Sequence, residues 1–125
     1  MVLSPLVITQ LEQRLQKLID DCHAIDAAVV TTIDGHMQAM KQRNKDYPLE
    51  RLATMGSTLM SLGDTITAEL EMGTCDNIIS ENKDGLVAFM HINNEMVLVT
   101  LGQEKSLGML LSHSRRCAGD ISKMV

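Results

Sequence analysis

The feature that most constrains this chain is an uncharged stretch inside a long helical pattern. From Leu52 to Gly63, between Arg51 and Asp64, no residue carries a charge. The pattern opens at Pro48 and runs to Met72, and Gly73 stands where a helix end takes a left-handed residue. At a rise of about 1.5 Å, such a helix of about 25 residues is a rod of roughly 37 Å. Stepping about 100° per residue places Leu62, Met55, Ile66, Leu59, Leu52 and Leu70 on one edge of a broad apolar arc. Gly63, Gly56, Leu49, Met60 and Ala53 complete it. The rest of the circumference is small and polar: Thr54, Ser57, Thr58, Ser61 and Thr65. An apolar arc this wide exceeds what one sheet face covers. The pattern therefore predicts a helix that packs on its own sheet and, along one flank, on a second copy of itself, with Gly56 and Gly63 allowing close approach; the alternative is a well-buried central helix in a monomer.

The segments around the helix read plainly. Ser4 and Pro5 open an amphipathic helix marked by Val7, Leu11, Leu15, Leu18, Ile19 and Cys22. Next come two extended segments, IDAAVVTTI and HMQAM, around Asp34-Gly35, a dipeptide suited to a two-residue hairpin turn. After the long helix come TCDNIIS, LVAFMHI and MVLVTL, separated by Lys83-Asp84-Gly85 and Asn93-Asn94. The latter two strands are apolar at nearly every position, so helices must cover both faces of the sheet. By contrast, Asp76 and Asn77 mark TCDNIIS as an edge strand, whose open backbone groups a symmetric partner could pair. A third amphipathic helix runs from Ser106 to Lys123. The element order is αββαβββα, an α+β arrangement, and the whole of 1–125 reads as one domain.

Composition narrows the functional classes. Eleven basic residues against sixteen acidic ones leave a net charge of -5, which disfavours nucleic acid and anionic membranes as partners. The three cysteines, Cys22, Cys75 and Cys117, form no disulfide framework, and no signal or membrane-spanning segment is evident, so a cytoplasmic location is expected. The only aromatics are Tyr47 and Phe89, so aliphatic residues and ten methionines must fill the core. There is no Gly-rich phosphate loop of either the nucleotide or dinucleotide kind. His113 and Cys117, or Cys22 and His23, lack a third metal ligand in the sequence. Cys117 with His91 is a pair that any small domain offers by chance, and the three cysteines fall at apolar-phase positions. The carboxylate pairs Asp20-Asp21 and Glu69/Glu71 belong to helix faces or ends. The basic clusters at Lys41 to Lys45 and Arg115-Arg116 read as solvated surfaces. No catalytic residue, cofactor or metal is expected.

The order of elements, the Ile33-Asp34-Gly35 turn, the low-charge helix and the tail GLVAFMHINNEMVLVTLGQEKSLGMLLSHSRRCAGDI together resemble the roadblock/dynein light chain domain. Within that family the chain is similar to the short bacterial members associated with small Ras-like GTPases, over about Leu6 to Ile121. The resemblance implies a five-stranded antiparallel sheet with the long helix on one face and the two terminal helices on the other. It also implies a non-enzymatic homodimer that pairs third strands and long helices, and that binds a small Ras-like GTPase and modulates its nucleotide state. A clamp on another polypeptide, a small-molecule sensor and a minor enzyme are the alternatives, the last two with His23, His91 or His113 lining a pocket. The expected dimer contact is Leu59, Met60, Gly63, Ile66 and Thr67 on the helix, with Cys75, Asn77 and Ile79 on the edge strand. The expected partner surface is Arg51, Thr54, Thr58, Thr65 and Glu69, along the helix's outer arc.

Overall fold

The structure is a computed structural model that describes residues 2–44 and 46–125; Lys45 of the basic loop lies outside the described residues. Its elements are α1 (Pro5–Asp21), β1 (Ala27–Thr32), β2 (Met37–Gln42), α2 (Leu49–Glu69), β3 (Asn77–Asn82), β4 (Gly85–His91), β5 (Met96–Gly102) and α3 (Leu107–Ser122). All five strands form one antiparallel sheet in the order β2-β1-β5-β4-β3. Pairing β1 with β5 joins the first hairpin to the β3–β5 meander and leaves β2 and β3 as the two edges. The edge position expected for the third strand is therefore the observed one, although the strand begins at Asn77 rather than Thr74.

Each face of the sheet has its own core. Ala28 and Val30, Ala88 and Met90, and Met96 and Leu98 point to one side, where Leu11, Leu15 and Leu18 of α1 and Leu110, Cys117 and Ile121 of α3 cover them. Ala27, Val29, Phe89, Val97, Val99 and Leu101 point to the other, under Leu49, Ala53 and Met60 of α2. The alternation along β1 and β5 divides the two sets, as a period of two requires. Both strands are buried along their whole length because both faces are covered.

Three local expectations are corrected. The first hairpin has a three-residue loop, not a two-residue turn. The Gly35 amide donates to the Thr32 carbonyl at 2.9 Å, and the Thr32 amide donates to the His36 carbonyl at 2.9 Å. Gly35 alone in that loop takes a positive φ, +91°, as the residue after a type I turn does. Second, α2 ends at Glu69, short of Met72. The Met72 amide reaches back to the Thr67 carbonyl at 2.8 Å and the Glu71 amide to Ala68 at 3.1 Å, a Schellman closure. Glu71, at φ +56°, supplies the left-handed residue that the sequence assigns to Gly73, which bends the following loop at φ +84°. Third, the basic loop is in part a structural brace. The Arg43 guanidinium donates to the carbonyls of Ile19, Cys22 and Ile25 at 2.7, 3.2 and 2.6 Å, closing the C-terminal end of α1.

Candidate functional site

On α2 the buried residues are Leu49, Ala53, Gly56, Ser57, Met60 and Gly63. They define the face that rests on the sheet, and their neighbours orient the helix about its axis. A Cβ on Gly56 would stand 2.9 Å from Val99 Cγ2 and 3.2 Å from Phe89 Cδ1, so this glycine faces the sheet centre. At Gly63 a Cβ would stand 2.9 Å from Ile78 Cδ1 and 3.0 Å from Cys75 Sγ, which turns that side of the helix toward β3. The opposite flank meets the first hairpin: Gly35 lies against Thr54 and the Ser57 hydroxyl. Gly56 and Gly63 thus permit close approach to the chain's own sheet, not to a second helix as expected from sequence.

With that orientation the outward residues fall into two bands. Met55, Leu62, Ile66 and Leu70 are 51% to 57% exposed, and Leu52 and Leu59 are half-buried, their inner edges touching the sheet-side core. In helical projection this apolar stripe adjoins Gly63, so it overhangs the open edge at β3. The second band, Thr54, Thr58, Ser61 and Thr65, adjoins Ser57 on the flank nearer the first hairpin. The hydroxyls of Thr54, Thr58 and Thr65 donate to the carbonyls of Glu50, Thr54 and Ser61 at 3.4, 3.1 and 3.1 Å. With those donors directed to the helix backbone, the band is less polar than its composition indicates. Arg51 and Glu69 project at the same angle, on the border between the bands.

The expected dimer residues divide accordingly. Leu59 and Ile66 lie on the stripe; Thr67 is half-buried, its hydroxyl donating to the Asp64 carbonyl at 3.2 Å. Met60 is completely buried in the chain's own core and Gly63 is buried against β3, so the helix's outer surface contains neither. A broad apolar arc read as one surface is in fact two, an inner one beneath the helix and an outer one beside it. Cys75 precedes the edge strand, and Asn77 and Ile79 lie on it, all half-buried; Ile79 packs toward the α1 and α3 side. The five expected partner residues, Arg51, Thr54, Thr58, Thr65 and Glu69, are all exposed.

One polar cluster at this edge escaped the sequence reading. Asp64, which ends the uncharged run, points inward and ties α2 to β4 and to the segment that leads into β3. Its Oδ1 accepts from the Cys75 amide at 2.9 Å, and its Oδ2 lies 2.9 Å from His91 Nε2 at the end of β4. The signal was available, since Asp64 falls on the inward phase of the helix, where an unpaired carboxylate is costly. His91 also lines a cleft of about 400 Å³ with Arg115, Asp76 and Asn77, while His23 is exposed and His113 half-buried on α3. Cys22 and Cys117 are fully buried, and burial pushes the Cys117 thiol up to about 11. Cys75 is only half-buried; burial and the nearby carboxylates of Asp64 and Asp76 raise its thiol as well. Among the described residues no three His, Cys, Asp or Glu side chains group to hold a metal ion, and no helix is long and apolar enough to cross a membrane.

No family model matches the chain, and no curated protein is similar to it in sequence. Solved structures are similar to it in shape. The gliding protein MglB from Thermus thermophilus superposes with a TM-score of 0.90 at 17% identity, over 99% of this chain and 94% of that one. A Roadblock/LC7 domain from Streptomyces avermitilis gives 0.81 at 16% identity, over 90% and 94%. The chain has the roadblock/LC7 fold. Myxococcus xanthus MglB shares that fold too, with a TM-score of 0.88 at 14% identity over 99% of this chain and 93% of its own. In the present roadblock/LC7 fold the apolar stripe and the open β3 edge are adjacent, at one side of the molecule.

Proposed function

We propose that the protein is a cytoplasmic, non-enzymatic homodimer that binds a small Ras-like GTPase and modulates its nucleotide state, the whole chain acting as one roadblock-like domain. The observation that carries this reading is the stripe of Met55, Leu59, Leu62, Ile66 and Leu70 overhanging the unpaired edge of β3. An exposed apolar stripe and an open strand edge are each a liability in water. One two-fold contact covers both, with Leu59 and Ile66 meeting their counterparts on the helix, Thr67 lying beneath on the sheet-facing phase of the helix, and Cys75, Asn77 and Ile79 following the strand edge. Met60 and Gly63 contribute from beneath by setting how the helix lies.

In such a dimer the Thr54, Thr58 and Thr65 band, with Arg51 and Glu69 at its border, stays on the outside and is the surface for a protein partner. Support for a GTPase as that partner comes from the sequence resemblance and from the shared fold. The MglB structures, one of them described as a gliding protein, support a setting in cell motility. Because a fold hosts many functions, the test must read nucleotide dependence directly. Purified protein should retain a Ras-like GTPase from its native lysate with GDP or with a non-hydrolysable GTP analogue, but not equally with both. Adding the protein to that purified GTPase should then change its hydrolysis or exchange rate by tenfold or more. Equal retention of a non-GTPase polypeptide in both nucleotide conditions would replace this reading with a peptide clamp.

A further inference from the structure

We propose that the GTPase partner docks by adding an extended strand to the free edge of β2, with apolar side chains seated between β2 and α2 and a basic one beside Asp46 and Glu50. This rests on the function proposed above and adds how the partner is held. Three observations carry it.

The first is a row of backbone groups. The Arg43 amide donates to the Asp26 carbonyl at 2.8 Å, which makes Asp26 and Arg43, Ala28 and Lys41, and Val30 and Ala39 the hydrogen-bonded pairs of this register. Alternation then turns the N–H and C=O of Met40 and Gln42 outward, away from β1. The register shifts between Val30 and Thr31; past that bulge the Thr32 amide donates to the His36 carbonyl at 2.9 Å, and Met37 faces outward by the same rule. Edges are commonly blunted by charge, yet the one charged residue of β2, Lys41, sits on the α1 side with its register partner Ala28. In a dimer that joins β3 to β3, β2 is the edge of the sheet left open.

The second is the space beside that row. Met37 and Met40 are half-buried on the face that α2 covers, but α2 seats farther in, over Phe89 and Val99. Two clefts lie between α2 and β2 and share Met37 and Glu50. One, of about 370 Å³, reaches Met40 and Tyr47, and the other, of about 320 Å³, reaches Gly35 and Thr54. They form a trough continuous with the threonine band assigned above to the partner. Its far end is closed by Gln42, whose Oε1 accepts from the Tyr47 amide at 2.9 Å and whose Nε2 donates to Asp46 Oδ1 at 3.2 Å. Unbranched methionine side chains can shift to admit incoming ones.

The third is complementarity. A helix satisfies its backbone groups internally, whereas an extended strand offers a matching row and sends alternate side chains into the trough. Asp46 and Glu50 line the trough, are exposed and take part in none of the ion pairs among the described residues; Arg51 lines it from the outer border of α2. A second copy of this chain at the same edge would turn this acidic rim toward its own counterpart. A partner strand with Lys or Arg there meets opposite charge instead.

Met40→Pro deletes an outward N–H, and proline is tolerated on an edge strand when its nitrogen faces solvent. Met40→Ala removes the side chain and keeps the amide. Calorimetric titration with the purified GTPase should show Met40→Pro weakened at least tenfold, Met40→Ala within about threefold of the parent, and Glu50→Lys weakened about tenfold at low salt. All three should keep the parent's circular dichroism and dimeric mass. Hydrogen exchange of the parent reads the same edge without substitution: the Met40 and Gln42 amides should slow at least tenfold when the GTPase is added, and this decides the matter should Met40→Pro fail to fold. A parent that binds the GTPase while these amides exchange unchanged, while folded Met40→Pro binds no more weakly than Met40→Ala, or while Glu50→Lys binds as tightly as the parent overturns the strand addition and leaves the GTPase reading intact. A parent that binds no GTPase overturns both.

Discussion

Asp64 and His91 meet at 2.9 Å between α2 and the end of β4, and the same carboxylate receives the Cys75 amide at 2.9 Å. One side chain therefore fixes the C-terminal half of the long helix to the strand beneath it and to the segment leading into β3. Asp64→Ala leaves an amide and an imidazole without their acceptor in a half-buried place. The expected cost is about 1–3 kcal/mol in urea unfolding. A variant as stable as the parent would show that solvent replaces the carboxylate there.

Two glycines in helices should respond to alanine with opposite signs. At Gly56 a Cβ stands 2.9 Å from Val99 Cγ2, on a stiff, fully buried residue of the central strand β5, so Gly56→Ala should cost about 1–3 kcal/mol. Gly119 in α3 has open space around the same position, and Gly119→Ala should stabilise by about 0.5–1 kcal/mol through helix propensity. Chemical denaturation of both variants checks the pair. Equal signs would mean that α2 does not seat on Phe89 and Val99 as described.

Ile66 is 51% exposed on the outer stripe. Ile66→Asp should leave the single chain folded and weaken the dimer at least a hundredfold, because the seam would desolvate two like charges. Light scattering after size exclusion reads the mass. A variant that keeps a dimeric mass would place the contact elsewhere.

The pairing of α1 with α3 should weaken in acid. Arg14 Nε donates to Asp120 Oδ2 at 2.9 Å and holds that carboxyl below its ordinary range. A lowered carboxylate pKa contributes stability above the unfolded value of about 3.9, and that contribution is lost as pH falls through the folded value. Asp120→Asn should therefore melt below the parent at pH 7, and the two curves should converge below pH ~4. A gap that stays constant down to pH ~3 would remove the charge from the explanation.

What was legible in the sequence was whatever periodicity and turn chemistry encode locally. The αββαβββα order, the Ser4 cap whose Oγ accepts from the Val7 amide at 3.2 Å, the buried β5 strand and the largely buried β4 all follow from patterns within each segment. The open edge at β3 was visible in Asp76 and Asn77. A helical wheel also shows that the α2 arc is too wide for one sheet face. It cannot show which half of the arc points where. That depends on where β3 and the first hairpin lie, through Ile78 and Cys75 at Gly63 and through Gly35 at Ser57. Met60 and Leu59 are neighbours in one apolar pattern, yet Met60 is wholly inside and Leu59 stands at the edge. Likewise Arg43 and Asp64 are surface charges by composition and become braces only because distant carbonyls, an amide and His91 reach them. Sequence alone determined the elements and their amphipathic faces, since those arise from near neighbours along the chain. Tertiary structure decided which apolar residues stay in water and which charges are consumed, since both depend on contacts between segments far apart in sequence.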